Sequence, residues 1–147
     1  MSTGNVYREF LERYYDDPNG FVINVLKVTP QPWQSQLLDQ FARGTRRCSC
    51  AAGHGVGKSA VTSWAMLWFL LTRYPIKLVA TSPTQSQLFD VLAAEVKRWI
   101  TELPEALREL LVVKSERIEL AASPTEAFLS FKVSRKDQPD AMQGIHS

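Results

Sequence analysis

The stretch Ala51-Ala-Gly-His-Gly-Val-Gly-Lys-Ser-Ala60 concentrates the residues best suited to holding a polyanion. Gly53, Gly55 and Gly57 carry no side chains, so their backbone N–H groups can converge on phosphate oxygens. Lys58 can reach the β- and γ-phosphates from the start of a following helix, as the catalytic cation of such a loop, and Ser59 offers a hydroxyl to Mg²⁺. The helix would add the positive end of its dipole. His54 and Val56 complete the loop. The usual pattern opens with a glycine five residues before the Gly-Lys pair, and here that position is Ala52. Alanine is costly there only if the backbone needs positive φ, and three alternate glycines already give the loop its freedom.

These residues need a strand before them and a helix after them. Residues 45–51 read as that strand, and Lys58–Tyr74 as the helix, with Val61, Trp64, Trp68 and Leu71 on one face. Upstream, residues 4–15 form an amphipathic helix with Val6, Phe10, Leu11 and Tyr14 near one side, broken by Asp17-Pro-Asn-Gly20. Phe21–Leu26 is a packed helical segment. Pro32 suits the first position of a helix running from Trp33 to Ala42 and ending at Gly44. Downstream, Ile76–Thr81 is a short buried strand after Pro75. A long helix follows from Thr84 to about Leu103, with Leu88, Val91, Leu92, Val96 and Ile100 along one side. Pro104 starts a further short helix, Arg117–Ala121 and Ala127–Val133 form a hairpin, and the tail from Ser134 is polar loop. Strands alternating with helices point to an α/β domain with a largely parallel sheet, its ligand at the carboxyl end of a strand.

Composition narrows the class. A chain of 147 residues with 45% hydrophobic content supports one globular domain, and 22% charged residues argue against disorder. A formal charge of +2 is too small to announce nucleic-acid binding, and the Arg43, Arg46, Arg47 and Arg135, Lys136 clusters read as solvated surface. The polar, acidic beginning is not that of a secretory leader. The longest apolar run, Trp64–Leu71, is less than half of the ~20 residues a membrane span needs. Cys48 and Cys50 lack metal-type spacing, and His54 and His146 are the sole imidazoles, so no zinc set can be assembled. A cytosolic protein with reduced thiols is the reading.

Four segments together resemble the N-terminal ATPase part of a bacteriophage terminase large subunit, the motor that packs DNA into a capsid. Pro32-Trp33-Gln34-Ser35-Gln36 lies upstream of the loop much as the family's adenine-binding glutamine motif does. The loop itself, A-G-H-G-V-G-K-S over residues 52–59, is similar to the family's variant. So are Val79–Leu88, a strand–loop–helix segment, and Asp140–Ser147, the stretch before the family's acidic motif. The first three also occur, more loosely, in related helicases; the fourth tilts the comparison to terminase.

The resemblance implies an α/β P-loop NTPase of the additional-strand type with a mostly parallel sheet, present here as an incomplete N-terminal portion. It divides the chain into an N-terminal helical segment, residues 1–31, and the ATPase portion, residues 32–147. It implies ATP and Mg²⁺ as ligands, with Trp33, Gln34 and Ala52 to Ser59 around the nucleotide. Double-stranded DNA, a portal and a small terminase subunit are the implied partners, a homo-oligomer the assembled motor, and the cytoplasm of a bacterial host the setting, with a phage or prophage as the source.

Gln34 has a rationale of its own, since a carboxamide can pair with the donor and acceptor on adenine's N6/N7 edge. Otherwise it is an exposed glutamine on an amphipathic helix, and Trp33 either packs near the base or fills core. Thr84 and Gln87 fit a capping box, while the resemblance gives that loop a part in coupling nucleotide state to DNA. His54 departs from the family, which often places an arginine there; a cis arginine finger is thereby in doubt.

Hydrolysis in this class needs an acidic pair after an apolar strand. No Asp-Glu pair occurs anywhere in the sequence; Asp90 lies in a helical pattern, Asp137 and Asp140 in polar loop, Glu119 in a short strand. The chain therefore reads as the front of a longer protein that binds ATP with little hydrolysis on its own. The alternatives are another nucleic-acid-remodelling ATPase, such as a helicase, or a truncated remnant without turnover.

Overall fold

The computed structural model describes residues 3–43 and 57–134. Six α-helices among them are α1 (Thr3–Tyr14), α2 (Pro18–Gly20), α3 (Pro32–Ala42), α4 (Lys58–Thr72), α5 (Ala94–Thr101) and α6 (Glu105–Arg108). The described strands are β1 (Ile76–Ser82), β2 (Leu111–Val113), β3 (Arg117–Leu120) and β4 (Ala127–Val133). Two wider, π-helical stretches, Phe21–Val25 and Ser86–Ala93, complete the elements.

Helix α4 is the centre of the core. Its sequence is apolar almost all round, so a single buried stripe could not accommodate it. Val61, Leu67, Trp68, Leu70 and Leu71 are fully buried, and Trp64 and Ala65 nearly so. The one-faced helix expected over this segment is thus a helix packed on several sides: α3 on one, α5 and the π-helical stretch before it on another, and β1 and β4 beneath. Phe10, Tyr14 and Phe21 extend the core toward α1, with Phe10–Tyr14 and Phe10–Phe21 ring centroids 5.4 and 5.8 Å apart.

Polar contacts close the helix ends. An α-helix leaves its last four carbonyls without internal partners. The Tyr14 carbonyl, at the end of α1, accepts from Trp68 Nε1 at 2.6 Å, and the Leu71 carbonyl, near the end of α4, accepts from the Tyr7 hydroxyl at 2.7 Å. The two helices therefore satisfy each other. Asp17-Pro-Asn-Gly20, expected as a breaker, also starts α2: the Asp17 carboxylate caps it by accepting from the Gly20 N–H at 2.9 Å, with Pro18 in the first turn.

The sheet order is β1-β4-β3-β2. β1 runs parallel to β4 from Ile76↔Ala127 to Ser82↔Val133, while β3 is antiparallel to both β4 and β2. The expectation of a mostly parallel sheet is corrected: the described sheet is mixed. The cause lies in the connections. A parallel return needs a crossover of a dozen or more residues. The route from β1 to β4 has that length, but residues 114–116 and 121–126 permit only reversal.

β1 is also less buried than its composition suggested. Ala80 and Ser82 point into the core, whereas Lys77, Val79 and Thr81 on the alternate face are exposed. Beyond β1 the expected long helix is present, wound as π over Ser86–Ala93 and as α over Ala94–Thr101. Leu88, Leu92, Val96 and Ile100 are buried as expected, but Val91 is exposed. In the wider i→i+5 winding the i+3 position rotates away from the face that i and i+4 share. Among the described residues no helix is long and apolar enough to cross a membrane.

Candidate phosphate-binding site

Gly57 caps α4 with φ +97°, in the left-handed region that favours glycine. Its carbonyl accepts the first α-helical bond, from the Val61 N–H at 3.1 Å. Lys58 and Ser59 follow as the first two residues of α4, both half-buried. The first three N–H groups of the helix point out of its N-terminus without intrahelical partners, and no acidic residue lies in that first turn. An anion placed there meets a positive dipole end and the Lys58 ammonium with no opposing carboxylate in the turn. The Ser59 carbonyl accepts from the Ser63 hydroxyl at 2.7 Å, which tightens the same turn.

The second wall comes from α3. Pro32 occupies its first turn, where a missing N–H costs nothing, and Gln34 is the third helical residue. From there its Oε1 reaches back to accept from the Gln31 N–H at 2.9 Å, one arm of a capping box. Its Nε2 donates to the Gly57 carbonyl at 3.0 Å, bridging residues 23 apart in sequence. Trp33 projects beside it, partly exposed, with Nε1 donating to Gln31 Oε1 at 2.9 Å. A Cβ added at Gly57 would lie 2.8 Å from Gln34 Nε2 and 3.2 Å from Trp33 Cζ2. Glycine is thus required twice at position 57, for its φ and for this close approach.

No protein-family model, curated protein or solved structure matches this chain.

Trp33, Gln34, Gly57, Lys58 and Ser59 are therefore brought together from two helices distant in sequence. Ala52, Gly53, His54, Gly55 and Val56 lie outside the described residues, as do the strand expected over 45–51, Cys48 and Cys50, and the segment 140–147. Gln34 is not the exposed helix-face glutamine that was its plain structural alternative; it is 6% exposed. Gln31 was missed from sequence. Its signal was available in Gln31-Pro-Trp-Gln34, a proline at the first helical position with a glutamine at the third.

The other candidate positions have local structural work. The Thr84 hydroxyl accepts from the Gln87 N–H at 3.1 Å, the plain capping arrangement. Asp90 accepts from the Ser86 hydroxyl within one helical turn. Glu119 is buried on β3 with Lys114 Nζ 3.1 Å from one carboxylate oxygen and Arg117 Nε 3.1 Å from the other. Arg117 also lies 3.7 Å over the Phe128 ring. A carboxylate enclosed by two cations is not placed to activate water. Among the described residues no cluster of three or more His, Cys, Asp or Glu side chains could hold a metal.

Proposed function

We propose that the chain is the ATP-binding part of a P-loop NTPase of the DNA-packaging kind, resembling the terminase large subunit. The observation that carries the reading is the conjunction at Gly57. A left-handed glycine opens a helix at Lys58-Ser59 and is backed directly by Trp33-Gln34, so two of the sequence segments behind the resemblance share one site. Triphosphate oxygens would lie at the N-terminus of α4, with Lys58 as the cation and the Ser59 hydroxyl toward Mg²⁺. Magnesium, when bound, shields charge on the β- and γ-phosphates. The residues present fit such a group: a backbone cap needing glycine, an ammonium, a hydroxyl and no acidic side chain in the turn. In the complete motor this part would act on double-stranded DNA in the host cytoplasm, together with portal and small-subunit partners and other copies of the chain.

Turnover by the 147 residues alone is expected to be slight, because the sequence has no Asp-Glu pair to hold metal and orient water. Calorimetric titration of Mg·ATP into the wild-type chain and Lys58→Ala tests the reading. Charge-assisted contacts contribute about 1.5–3 kcal/mol, so the variant should bind roughly ten- to a hundredfold more weakly. An absence of binding by folded wild type, or equal binding by Lys58→Ala, would overturn it.

A further inference from the structure

The Gln34 carboxamide is nearly sealed from solvent, and both its ends are engaged within the chain. Its oxygen holds the start of α3 through the Gln31 N–H, and its nitrogen holds the start of α4 through the Gly57 carbonyl. That carbonyl also receives the Val61 N–H, so it is pinned from two directions. The Gly57 carbonyl and the Lys58 N–H belong to one planar peptide unit. Fixing the first fixes the direction of the second and the point from which the Lys58 side chain departs. Left-handed glycine is the most freely rotating link in such a chain, so an external clamp has the largest effect there.

We infer that Gln34 is a positioning residue for Lys58, setting affinity for the triphosphate whatever base is attached. The inference rests on the phosphate-site reading above. It departs from recognition of adenine by Gln34, because reading a base needs an accessible amide edge, and this side chain is almost wholly buried with its oxygen and its nitrogen each turned to a partner within the chain. Loss of the clamp leaves the Gly57–Lys58 peptide free to reorient, and the cost falls on every ligand that carries the phosphates.

Two variants separate these roles. Gln34→Met keeps the side-chain volume and loses both hydrogen bonds; Gln34→Glu keeps an oxygen for the Gln31 N–H but sets a carboxylate against the Gly57 carbonyl. Each is titrated with Mg·ATP, Mg·GTP and magnesium tripolyphosphate, with circular dichroism to establish folding and amide NMR on Gly57 and Lys58. One ordinary hydrogen bond corresponds to a loss of about threefold to tenfold in affinity. The expected result is a loss of that size common to all three ligands, an unchanged ATP-to-GTP ratio, and displaced Gly57 and Lys58 resonances before ligand is added. If Gln34→Met fails to fold, Gln34→Glu decides alone. A loss confined to ATP, or full affinity for tripolyphosphate in a folded variant, overturns the clamp and leaves the phosphate site standing. Wild type that binds none of the three removes the phosphate site itself, and the clamp with it.

Discussion

Replacing Gly57 by alanine perturbs the left-handed backbone position at the head of α4. The left-handed conformation costs an L-residue about 1–2 kcal/mol. The new Cβ would stand 2.8 Å from Gln34 Nε2, so the carboxamide must swing aside and lose its bond to the Gly57 carbonyl, about 1 kcal/mol more. Alanine also narrows the unfolded ensemble, which returns roughly 0.5–1 kcal/mol. The net is a destabilisation of about 2 kcal/mol, or roughly 4–8 °C in melting temperature for a domain of this size. Urea denaturation monitored by far-ultraviolet circular dichroism measures it. Gly57→Asn separates the components, since asparagine tolerates the left-handed region but still brings a Cβ against Gln34 and Trp33; it should recover about 1 kcal/mol. In a Gln34→Ala background the alanine penalty should shrink by about 1 kcal/mol, the coupling expected of touching residues. A Gly57→Ala protein within about 0.5 kcal/mol of wild type would refute both the backbone assignment and the close approach.

Two further predictions concern the frame behind the site. Burial raises the Tyr7 phenol above its ordinary value. Stability from its protonated form is full below the unfolded phenol value near 10 and is lost as pH climbs through the higher folded value. Tyr7→Phe should therefore cost about 1 kcal/mol at pH 7 and flatten the loss of stability above about pH 10, both measurable by denaturation across pH. Trp68 is fully buried and bonded to the Tyr14 carbonyl, so Trp68→Ala should destabilise by about 3–5 kcal/mol in the same assay. Trp68→Phe, which loses the indole bond but leaves that carbonyl the Asp17 N–H at 3.2 Å, should cost about 1 kcal/mol from the hydrogen bond.

Local chemistry made much of this architecture legible in sequence. Apolar spacing marked α1 and the long helix after β1, Pro32 and Gly44 bounded α3, and the turn residues over 122–126 marked the β3–β4 hairpin. Non-local pairing was harder to see. β2 is three residues long, too short for alternation to register, and its antiparallel pairing with β3 adds to a sheet already mixed by the parallel β1–β4 and antiparallel β3–β4 pairs. The π winding over Ser86–Ala93 was invisible because apolar spacing of three and four is read as α, and Val91 was consequently placed on the wrong face. Within the site, Lys58 and Ser59 were evident from the motif. The contact between Gln34 and Gly57 was not, because no local signal reports which buried amide lies across from a glycine 23 positions later.

Helix α4 has a mechanical consequence. Its 15 residues span about 22 Å from Lys58 to Thr72. Buried along most of that length, it has little room to bend, so it behaves as a strut. At its far end sit the bonds to Tyr14 and Tyr7, together with Arg73, whose guanidinium lies 3.7 Å over the Tyr15 ring. The position of its first turn is thereby tied along one stiff axis to α1, through the bonds that Trp68 and Leu71 make with Tyr14 and Tyr7.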